Sequence, residues 1–408
     1  MPIIKKLVIK SFKSIWQDTL DLGQMNVFIG TNGAGKSNLL EAIAMLSSSL
    51  EGGIDYEKLH KRGARLSSSA IFRSAFRNKN RTSAFKLSAD IGELSYSIDI
   101  NAEGGFRYLA ESVKHNKKVI GGRSNNGATI FGLSLKSKME NTKGIFPYLE
   151  AFKKINSDTA THDILAPLAS LVEYAIFSPT TPILRGVETD SSAKSPLGLY
   201  GGRLADALAE VISDFHHTKD KTDLLSFFKL MNWVQSFTTT DETDVELLSG
   251  QINIAGRKIR YQDKFMKTNF NKLYAYDVSE GALYVIFMLV LLIHKNSPDI
   301  LALDNIDTAL NPGLVRDLMG QVAKIVKKNP TKQVFLTTHN PSTLDALDLF
   351  DETHRLFVVE RDKDGHTKSR RIAPPEGMTK SEWEDKYFGM KLSEIWLSGA
   401  IGGLPQGF

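Results

Sequence analysis

The sequence predicts an α/β fold in which a mixed β-sheet carries a phosphate-binding loop, flanked by an antiparallel β lobe and a helical lobe. The first observation is the octapeptide GTNGAGKS at 30–37, which lies between an apolar run and a stretch with helical spacing. The second is a pair of apolar runs, 298–304 and 333–338, which have the length and composition of buried strands. The third is the apolar–polar alternation over 85–113, which is typical of antiparallel strands.

The octapeptide matches the pattern G-x-x-x-x-G-K-[ST] at every fixed position. Glycines let backbone N–H groups close around phosphates, and the N-terminus of the following helix adds partial positive charge. In this pattern Lys36 would reach the β- and γ-phosphates, and Ser37 would be a ligand of Mg²⁺. We therefore expect ATP and Mg²⁺ as cofactors, with the nucleotide held by Gly30, Asn32, Gly33, Gly35, Lys36, Ser37 and Asn38.

Composition excludes several classes of protein. The 408-residue chain has no cysteine, which excludes disulfides, zinc–thiolate sites and thiol catalysis. Its longest apolar run, 285–293, is far short of the roughly 18 residues of a membrane span and indicates a buried helix. The N-terminus lacks the apolar segment of a signal peptide. We expect a cytoplasmic location and no membrane partner.

Positive charge is concentrated in one stretch of the chain, although the net charge is only +5. Residues 58–86 contain no Asp or Glu and nine basic residues: Lys58, Lys61, Arg62, Arg65, Arg73, Arg77, Lys79, Arg81 and Lys86. Such a run can mark a nucleic-acid surface, and DNA binding is one interpretation. A solvated loop and a lid over the phosphates of the nucleotide are the alternatives.

Pattern divides the chain into three parts. The first part contains the early strands, the phosphate-binding loop with its helix, and the alternating segments. The Ser and Gly residues at 47–53 predict the end of that helix. The second part is mostly helical, with helices predicted near 203–215 and 222–235. The parts are the N-terminal half of the nucleotide-binding core (1–115), a helical or insertion lobe (116–265) and the C-terminal half of the core (266–408).

The C-terminal part contains candidates for the rest of a nucleotide site. The apolar run to 304 ends in Asp304, where a Walker B carboxylate would hold Mg²⁺ directly or through water. The run to 338 is followed by His339, at the strand end where a side chain can contact a γ-phosphate or an attacking water. Upstream, Ser279 and Gly281 open the apolar helix, and a helix N-terminus is a ready anion site. Taken alone, Ser279 is better explained as an ordinary N-cap.

Together and in this order, the four motifs resemble those of the ATP-binding-cassette ATPases. The segment LVIKSFKSI at 7–15 and the ending LSEIWLSGAIGGLP at 392–405 are similar to the SMC/RecF/overcoming-lysogenization-defect (OLD) branch, and to stand-alone bacterial ATPases of phage defence. The resemblance is firm over 1–50 and 270–350. It implies that Ser279 and Gly281 form a signature that contacts the ATP held by another copy. At least a homodimer is therefore expected.

One position departs from the family pattern. The family usually has Glu directly after the Walker B Asp, whereas this chain has Asn305. An amide cannot accept a proton as a carboxylate does, so general-base catalysis at this position should be weak. Asp307, two positions on, can provide the carboxylate. We expect slow hydrolysis with Asn305, Asp307 and His339 as the catalytic set, and no residue corresponds to the Q-loop glutamine of the family.

The resemblance and the lengths of the segments together suggest a function. The residues after His339 are too few for a Toprim nuclease domain in addition to the last strands of the core, so any effector activity should belong to a separate protein. The first hypothesis is an ATP-driven regulatory or sensor subunit of a bacterial anti-phage defence complex. The alternative is a RecF-like repair ATPase that clamps DNA directly. A transporter ATPase is disfavoured because such cassettes carry a Q-loop.

Overall fold

The computed structural model describes residues 3–124, 127–135, 139–156, 164–192, 194–217, 222–244, 256–305 and 310–403, together with residues 247, 254 and 307. Two large sheets and a small one account for the strands in this part of the chain. None of the described helices has the length and apolarity needed to cross a membrane.

The central sheet has six strands and is mixed. Five run parallel and the last is antiparallel, because β17 pairs with β16 as a hairpin. In spatial order they are β10 (Ala175–Phe177), β14 (Ile300–Asp304), β15 (Gln333–Thr338), β3 (Met25–Ile29), β16 (His354–Arg361) and β17 (Thr367–Ile372). The strands β14, β15 and β3 therefore lie side by side and parallel. Their C-terminal ends lie along one edge of the sheet, and they are followed by Asn305, by His339 and by the phosphate-binding loop, respectively.

The second sheet has eight antiparallel strands and forms the β lobe. Their order is β2 (Ile15–Asp21), β1 (Ile4–Phe12), β4 (Ala84–Ile91), β5 (Leu94–Asn101), β6 (Arg107–His115), β7 (Lys118–Ser124), β8 (Gly127–Ile130) and β9 (Leu133–Leu135). Each of β4, β5 and β6 alternates buried and partly exposed residues over most of its length, as the sequence predicted. The boundary predicted between residues 115 and 116 falls in the hairpin that joins β6 to β7, inside this sheet.

Helices cover both faces of the central sheet. The first helices are α1 (Lys36–Leu50), α2 (Tyr56–Lys61), α3 (Phe146–Asn156), α4 (Ala166–Val172), α5 (Thr181–Leu184), α6 (Leu204–His217) and α7 (Thr222–Phe228). The C-terminal ones are α8 (Glu280–Ile293), α9 (Pro312–Lys328), α10 (Lys380–Lys386) and α11 (Leu392–Leu397). One core packs α1 between the central sheet and the β lobe, and the other packs α6, α8 and α9 against the opposite face. The nine-residue apolar run lies inside α8, whose residues 282–292 are all buried.

Two local predictions are corrected by the structure, and a third is confirmed. The helix α1 ends at Leu50, inside the predicted stretch 47–53, and Ser47, Ser48 and Ser49 are buried in its last turns, where Ser47 donates to Val172 O and Ser49 to Leu46 O. The helix predicted to 235 ends at Phe228, because Val234–Thr240 pairs as β11 with β12 (Lys258–Asp263), which in turn pairs with β13 (Lys272–Tyr274). The strand β10, which lies within a stretch predicted as helical, joins the edge of the central sheet.

Candidate functional site

The phosphate-binding loop connects β3 to α1 and packs tightly against the β16–β17 hairpin. At Gly35 the backbone has φ 107°, and a Cβ atom would lie 2.1 Å from Thr367 Oγ1. A Cβ atom on Gly30 would lie 2.0 Å from Val359 O. Any side chain at either position would force backbone or buried side chains apart. The first and sixth positions of the motif therefore require glycine for packing as well as for phosphate approach.

Lys36 is buried at the start of α1, and its ammonium group lies within the loop. The Nζ atom donates to Gly30 O at 2.8 Å and to Thr31 O at 3.0 Å, and it lies 3.4 Å from His339 Nδ1. Burial lowers the pKa of Lys36 to about 8, although Asp304 and Asp307 oppose the shift. The structure thus brings a lysine of the loop and a strand-end histidine close together, near the carboxylates of Asp304 and Asp307.

Ser37 and Asp304 are in direct contact. Ser37 Oγ lies 3.2 and 3.0 Å from the two carboxylate oxygens of Asp304, and Thr337 Oγ1 donates to the same carboxylate. A hydroxyl and a carboxylate are oxygen ligands of the kind that Mg²⁺ prefers, usually with several waters retained. The donor set fits the predicted metal at these two residues.

Asn305 and Asp307 occupy different environments. Asn305 has a left-handed backbone, φ 53°, and its N–H donates to Thr337 Oγ1 at 3.1 Å and to Thr337 O at 3.3 Å. Asp307 is buried, and its Oδ2 accepts from Thr343 Oγ1 at 2.6 Å and from Thr338 Oγ1. Burial raises the pKa of Asp307, and the bonds from the two threonines oppose the shift.

The charges of Lys36 and Asp307 have opposite effects on the pKa of His339. Burial is the main cause that lowers the pKa of His339, and the positive charge of Lys36 acts in the same direction. The negative charge of Asp307 opposes both. A lowered pKa favours the neutral imidazole at physiological pH, which can accept a proton or a hydrogen bond.

A polar cluster that was not predicted from the sequence lies beside the loop. Glu41 on α1 is buried and forms ion pairs with Lys13 and with Arg65 Nε, the latter at 2.7 Å. Asn38, which we expected to bind nucleotide, has its side chain held by this cluster: Nδ2 donates to Ser14 Oγ and Oδ1 accepts from Arg65 Nη2, both at 2.7 Å. A lone acidic residue on the apolar part of α1 was the only local signal.

The basic run at 58–86 divides into two sets. Five members form ion pairs with carboxylates: Lys58–Asp55, Lys61–Glu57, Arg62–Glu51, Arg65–Glu41 and Lys86–Asp99. Of the remaining four, Arg73 and Arg81 line a cleft with Lys13, Asn38 and Arg361. Arg361 donates from Nε to Gly33 O at 2.9 Å, which places this cleft beside the phosphate-binding loop.

Ser279 and Gly281 lie in a separate cleft. Ser279 is the exposed N-cap residue of α8, and its hydroxyl makes no capping hydrogen bond. With Gly281 it lines a cleft formed also by Trp233, Leu310 and Leu314, and no residue of the phosphate-binding loop lines that cleft. Arg185 Nη2 donates to Val278 O at 3.2 Å and so fixes the backbone just before the helix. Within one chain, the two predicted halves of the site share no lining residue.

Two family models match the chain. Residues 3–174 match the AAA ATPase domain, and residues 202–345 match an AAA domain described as "putative AbiEii toxin, Type IV TA system". No curated protein matches the chain significantly.

Solved structures of SMC head domains are similar in fold. One, an SMC head bound to the C-winged helix domain of ScpA, has a TM-score of 0.51 at 14% identity and covers 92% of this chain and 100% of that one. The SMC head from Thermotoga maritima gives 0.46 at 14% identity, covering 91% and 99%. A ScpA-bound head with an extended coiled coil, derived from Pyrococcus furiosus, gives 0.47 at 12%, covering 95% and 99%. The predicted α/β fold of an ATP-binding-cassette head is confirmed.

The lowered pKa of Lys36 predicts a pH dependence of stability. The folded pKa is about 8, below the value of about 10.4 for an exposed lysine, so between these pH values the unfolded chain binds more protons. The free energy of unfolding should therefore rise with pH over this window. The full shift would correspond to roughly 3 kcal/mol, and solvent screening of this partly accessible site reduces the expected contribution to on the order of 1–2 kcal/mol. Urea unfolding without nucleotide at a series of pH values measures it. Lys36→Met should lack this component, and equal slopes in both proteins would contradict the prediction.

Proposed function

The chain is an ABC-class ATPase of the SMC/RecF/OLD-like branch, and from this premise we propose that it binds Mg–ATP, associates through the nucleotide and regulates a separate effector. The phosphate-binding loop of one copy would face the N-terminus of α8 in a second copy. ATP would stabilise the dimer and hydrolysis would release it, because the nucleotide contacts both copies only in the associated state. The effector would belong to a bacterial anti-phage defence complex in the cytoplasm.

The observation that carries this proposal is the division of the site into two separate clefts. Lys36, Ser37 and Asp304 converge on one side of the sheet edge, where a triphosphate and its metal would be held. The exposed N-cap Ser279 begins a 14-residue helix whose first N–H groups need an acceptor. A γ-phosphate from a second copy is an acceptor of the right charge for the positive end of a helix dipole.

Each residue of the loop has a defined part in this proposal. Backbone N–H groups around Gly33 and Gly35 would bind the phosphates, and exposed Asn32 would lie at the rim of the loop. Lys36 would exchange its two carbonyl contacts for phosphate oxygens, and Ser37 and Asp304 would hold Mg²⁺. The bound metal would neutralise charge on the phosphates.

We propose slow hydrolysis because the position after the Walker B residue is Asn305. Asp307 would act as the carboxylate that holds His339 or a water in position, since it is buried in the same charged cluster. His339 would contact the γ-phosphate or accept from the attacking water. Slow turnover suits a regulator, because the ATP-bound state then lasts long enough to be sensed by a partner.

Support for the defence role comes from the match of residues 202–345 to an AAA domain described as a putative AbiEii toxin of a type IV toxin–antitoxin system. The C-terminal hairpin, β16 and β17, belongs to the central sheet. Effector activity in a separate protein is part of the proposal.

Direct clamping of DNA, as in a RecF-like repair ATPase, is the alternative. The observation that favours it is the exposed group Arg77, Lys79 and Arg81, which forms no ion pair with the described residues.

Under this alternative, replacing Arg77, Lys79 and Arg81 by Ala should weaken duplex binding and flatten its salt dependence, measured by fluorescence anisotropy. Lys61→Ala with Lys86→Ala is the matched control, because both lysines are paired. If the wild type showed no salt-dependent binding to duplex DNA, direct clamping of DNA would be excluded.

Nucleotide-dependent association is the central prediction. Light scattering should show an increase in mass when Mg–ATP is added to the wild type and none for Lys36→Ala, which loses phosphate contacts. Ser279→Arg should still bind ATP but should not associate, because its side chain would fill the α8 cleft. Ser134→Arg on the exposed strand β9 is the control and should behave as wild type. Association of Ser279→Arg at wild-type affinity would refute the proposed pairing.

Hydrolysis gives an independent prediction, measured as phosphate release. Asn305→Glu should raise turnover and Asp307→Asn should lower it, each by about tenfold or more, since a general base typically contributes 10²–10⁴-fold. Asp307→Asn keeps an acceptor for Thr338 and Thr343, so a loss of rate would not reflect unpaired hydroxyls. Asn305→Asp controls for backbone strain, because Asp tolerates a left-handed backbone as Asn does. If neither Asn305→Glu nor Asp307→Asn changed the rate, this account of hydrolysis would fail.

A further inference from the structure

Two apolar surfaces far apart in sequence are exposed in the chain. The first, which we call the basic tip, comprises residues 264–272, which are the connection between β12 and β13 and the first residue of β13. Every residue from 264 to 270 is exposed, including Phe265 at 76%, Met266 at 41% and Phe270 at 71%. The short 3₁₀ helix Thr268–Phe270 in this tip buries none of its residues. Such a cluster of aromatic side chains in water indicates an interaction site.

The second surface, which we call the acidic patch, is formed by residues 376–397 around α10 and α11. The helix α10 buries none of its residues. Phe388 just after it is 87% exposed, and Met390 and Leu397 are exposed at 46% and 57%. The backbone of Phe388 is left-handed, φ 53°, which is unfavourable for a bulky residue. A strained backbone that holds an aromatic ring in solvent favours a role in binding over a role in folding.

The two surfaces have opposite charge. The tip contains Lys264, Lys267 and Lys272 and no acidic residue, and these lysines form no ion pair in the described part of the chain. The patch has five acidic residues, Glu376, Glu382, Glu384, Asp385 and Glu394, against three lysines, in a chain whose net charge is +5. One of those lysines, Lys380, is paired with Asp348 outside the patch.

From this complementarity we propose that the basic tip of one copy docks on the acidic patch of a second copy. Phe265 and Phe388 are both exposed in the same chain, so they do not cover each other within one molecule. An aromatic side chain can bury about 150–250 Å², which makes these rings suitable anchors for a standard interface of roughly 800 Å² per partner. The lysines and carboxylates around them would form the polar rim and fix the orientation.

The contact is heterologous, since unlike surfaces meet. After two copies pair, the pair as a whole still has one free tip and one free patch, so the assembly either closes into a ring or continues. This contact differs from the nucleotide-dependent pairing of the loop with α8 and needs no ATP. The two can be tested separately.

A charge-exchange experiment tests the proposal, with Lys36→Ala throughout and no nucleotide present, so that failure of the ATP-dependent pairing does not affect the result. The tip variant is Lys264→Glu with Lys267→Glu, and the patch variant is Glu384→Lys with Asp385→Lys. The parent should assemble reversibly with concentration in sedimentation velocity. Each variant alone should show a dissociation constant raised by about tenfold or more, because like charges then face each other.

Mixing distinguishes the proposed contact from a general loss of charge. An equimolar mixture of tip and patch variants should assemble, since each surface meets one of opposite sign, and the chain with all four changes should recover the parent's affinity. Lys117→Glu with Lys118→Glu, an exposed pair on the β6–β7 turn, should leave assembly unchanged. Near-ultraviolet circular dichroism verifies that each variant is folded. A parent that stays monomeric, or folded variants that assemble alone but not better together, would overturn the proposal and leave the two surfaces to unlike partners.

Discussion

The site depends on one chain of hydrogen bonds that holds the phosphate-binding loop. Thr367 Oγ1 donates its single proton to Ala34 O at 2.7 Å, so Ser14 Oγ, 2.7 Å away, must be the donor in their shared bond. Asn38 Nδ2 in turn donates to Ser14. Residues from the N-terminal strands, from the loop and its helix and from the last hairpin therefore fix one another. Thr367 is fully buried, and a lost partner would leave polar groups unpaired in the core.

This chain of hydrogen bonds, which we call the Thr367 clamp, also shows what can and cannot be predicted from the sequence. The loop, the strand ends at Asp304 and His339 and the alternating β4–β6 segments were predictable, because their signals are contiguous. The clamp was not, since Thr367 lies 333 positions from the carbonyl it binds and has no local signature. The burial of the α1 serines was not predictable for the same reason: Ser47 donates to Val172, whose position only tertiary structure defines. The strand β10 has three residues and no alternation by which to recognise it.

Charge in the site is arranged so that Lys36 can change partners at little cost. Its hydrogen bonds go to the neutral carbonyls of Gly30 and Thr31, while the carboxylate of Asp304 is occupied by the hydroxyls of Ser37 and Thr337. Moving the ammonium group to a phosphate therefore breaks no buried ion pair. Breaking such a pair commonly costs about 3–5 kcal/mol, and this cost is avoided here. Burial already disfavours the charged lysine, as its lowered pKa shows. A phosphate would supply the missing counter-charge.

The residue after Asp304 links backbone geometry to the expected rate of hydrolysis. Asn305 adopts φ 53°, a region in which Asn is several-fold enriched and Glu is not. Its N–H bonds to Thr337, the same residue whose hydroxyl holds Asp304, so the left-handed turn helps to fix the Walker B carboxylate. A glutamate at this position would either accept strain of about 1–3 kcal/mol or shift that turn. This backbone geometry supports the proposal of slow hydrolysis, because the residue at 305 orders the carboxylate of Asp304 and does not itself provide a general base.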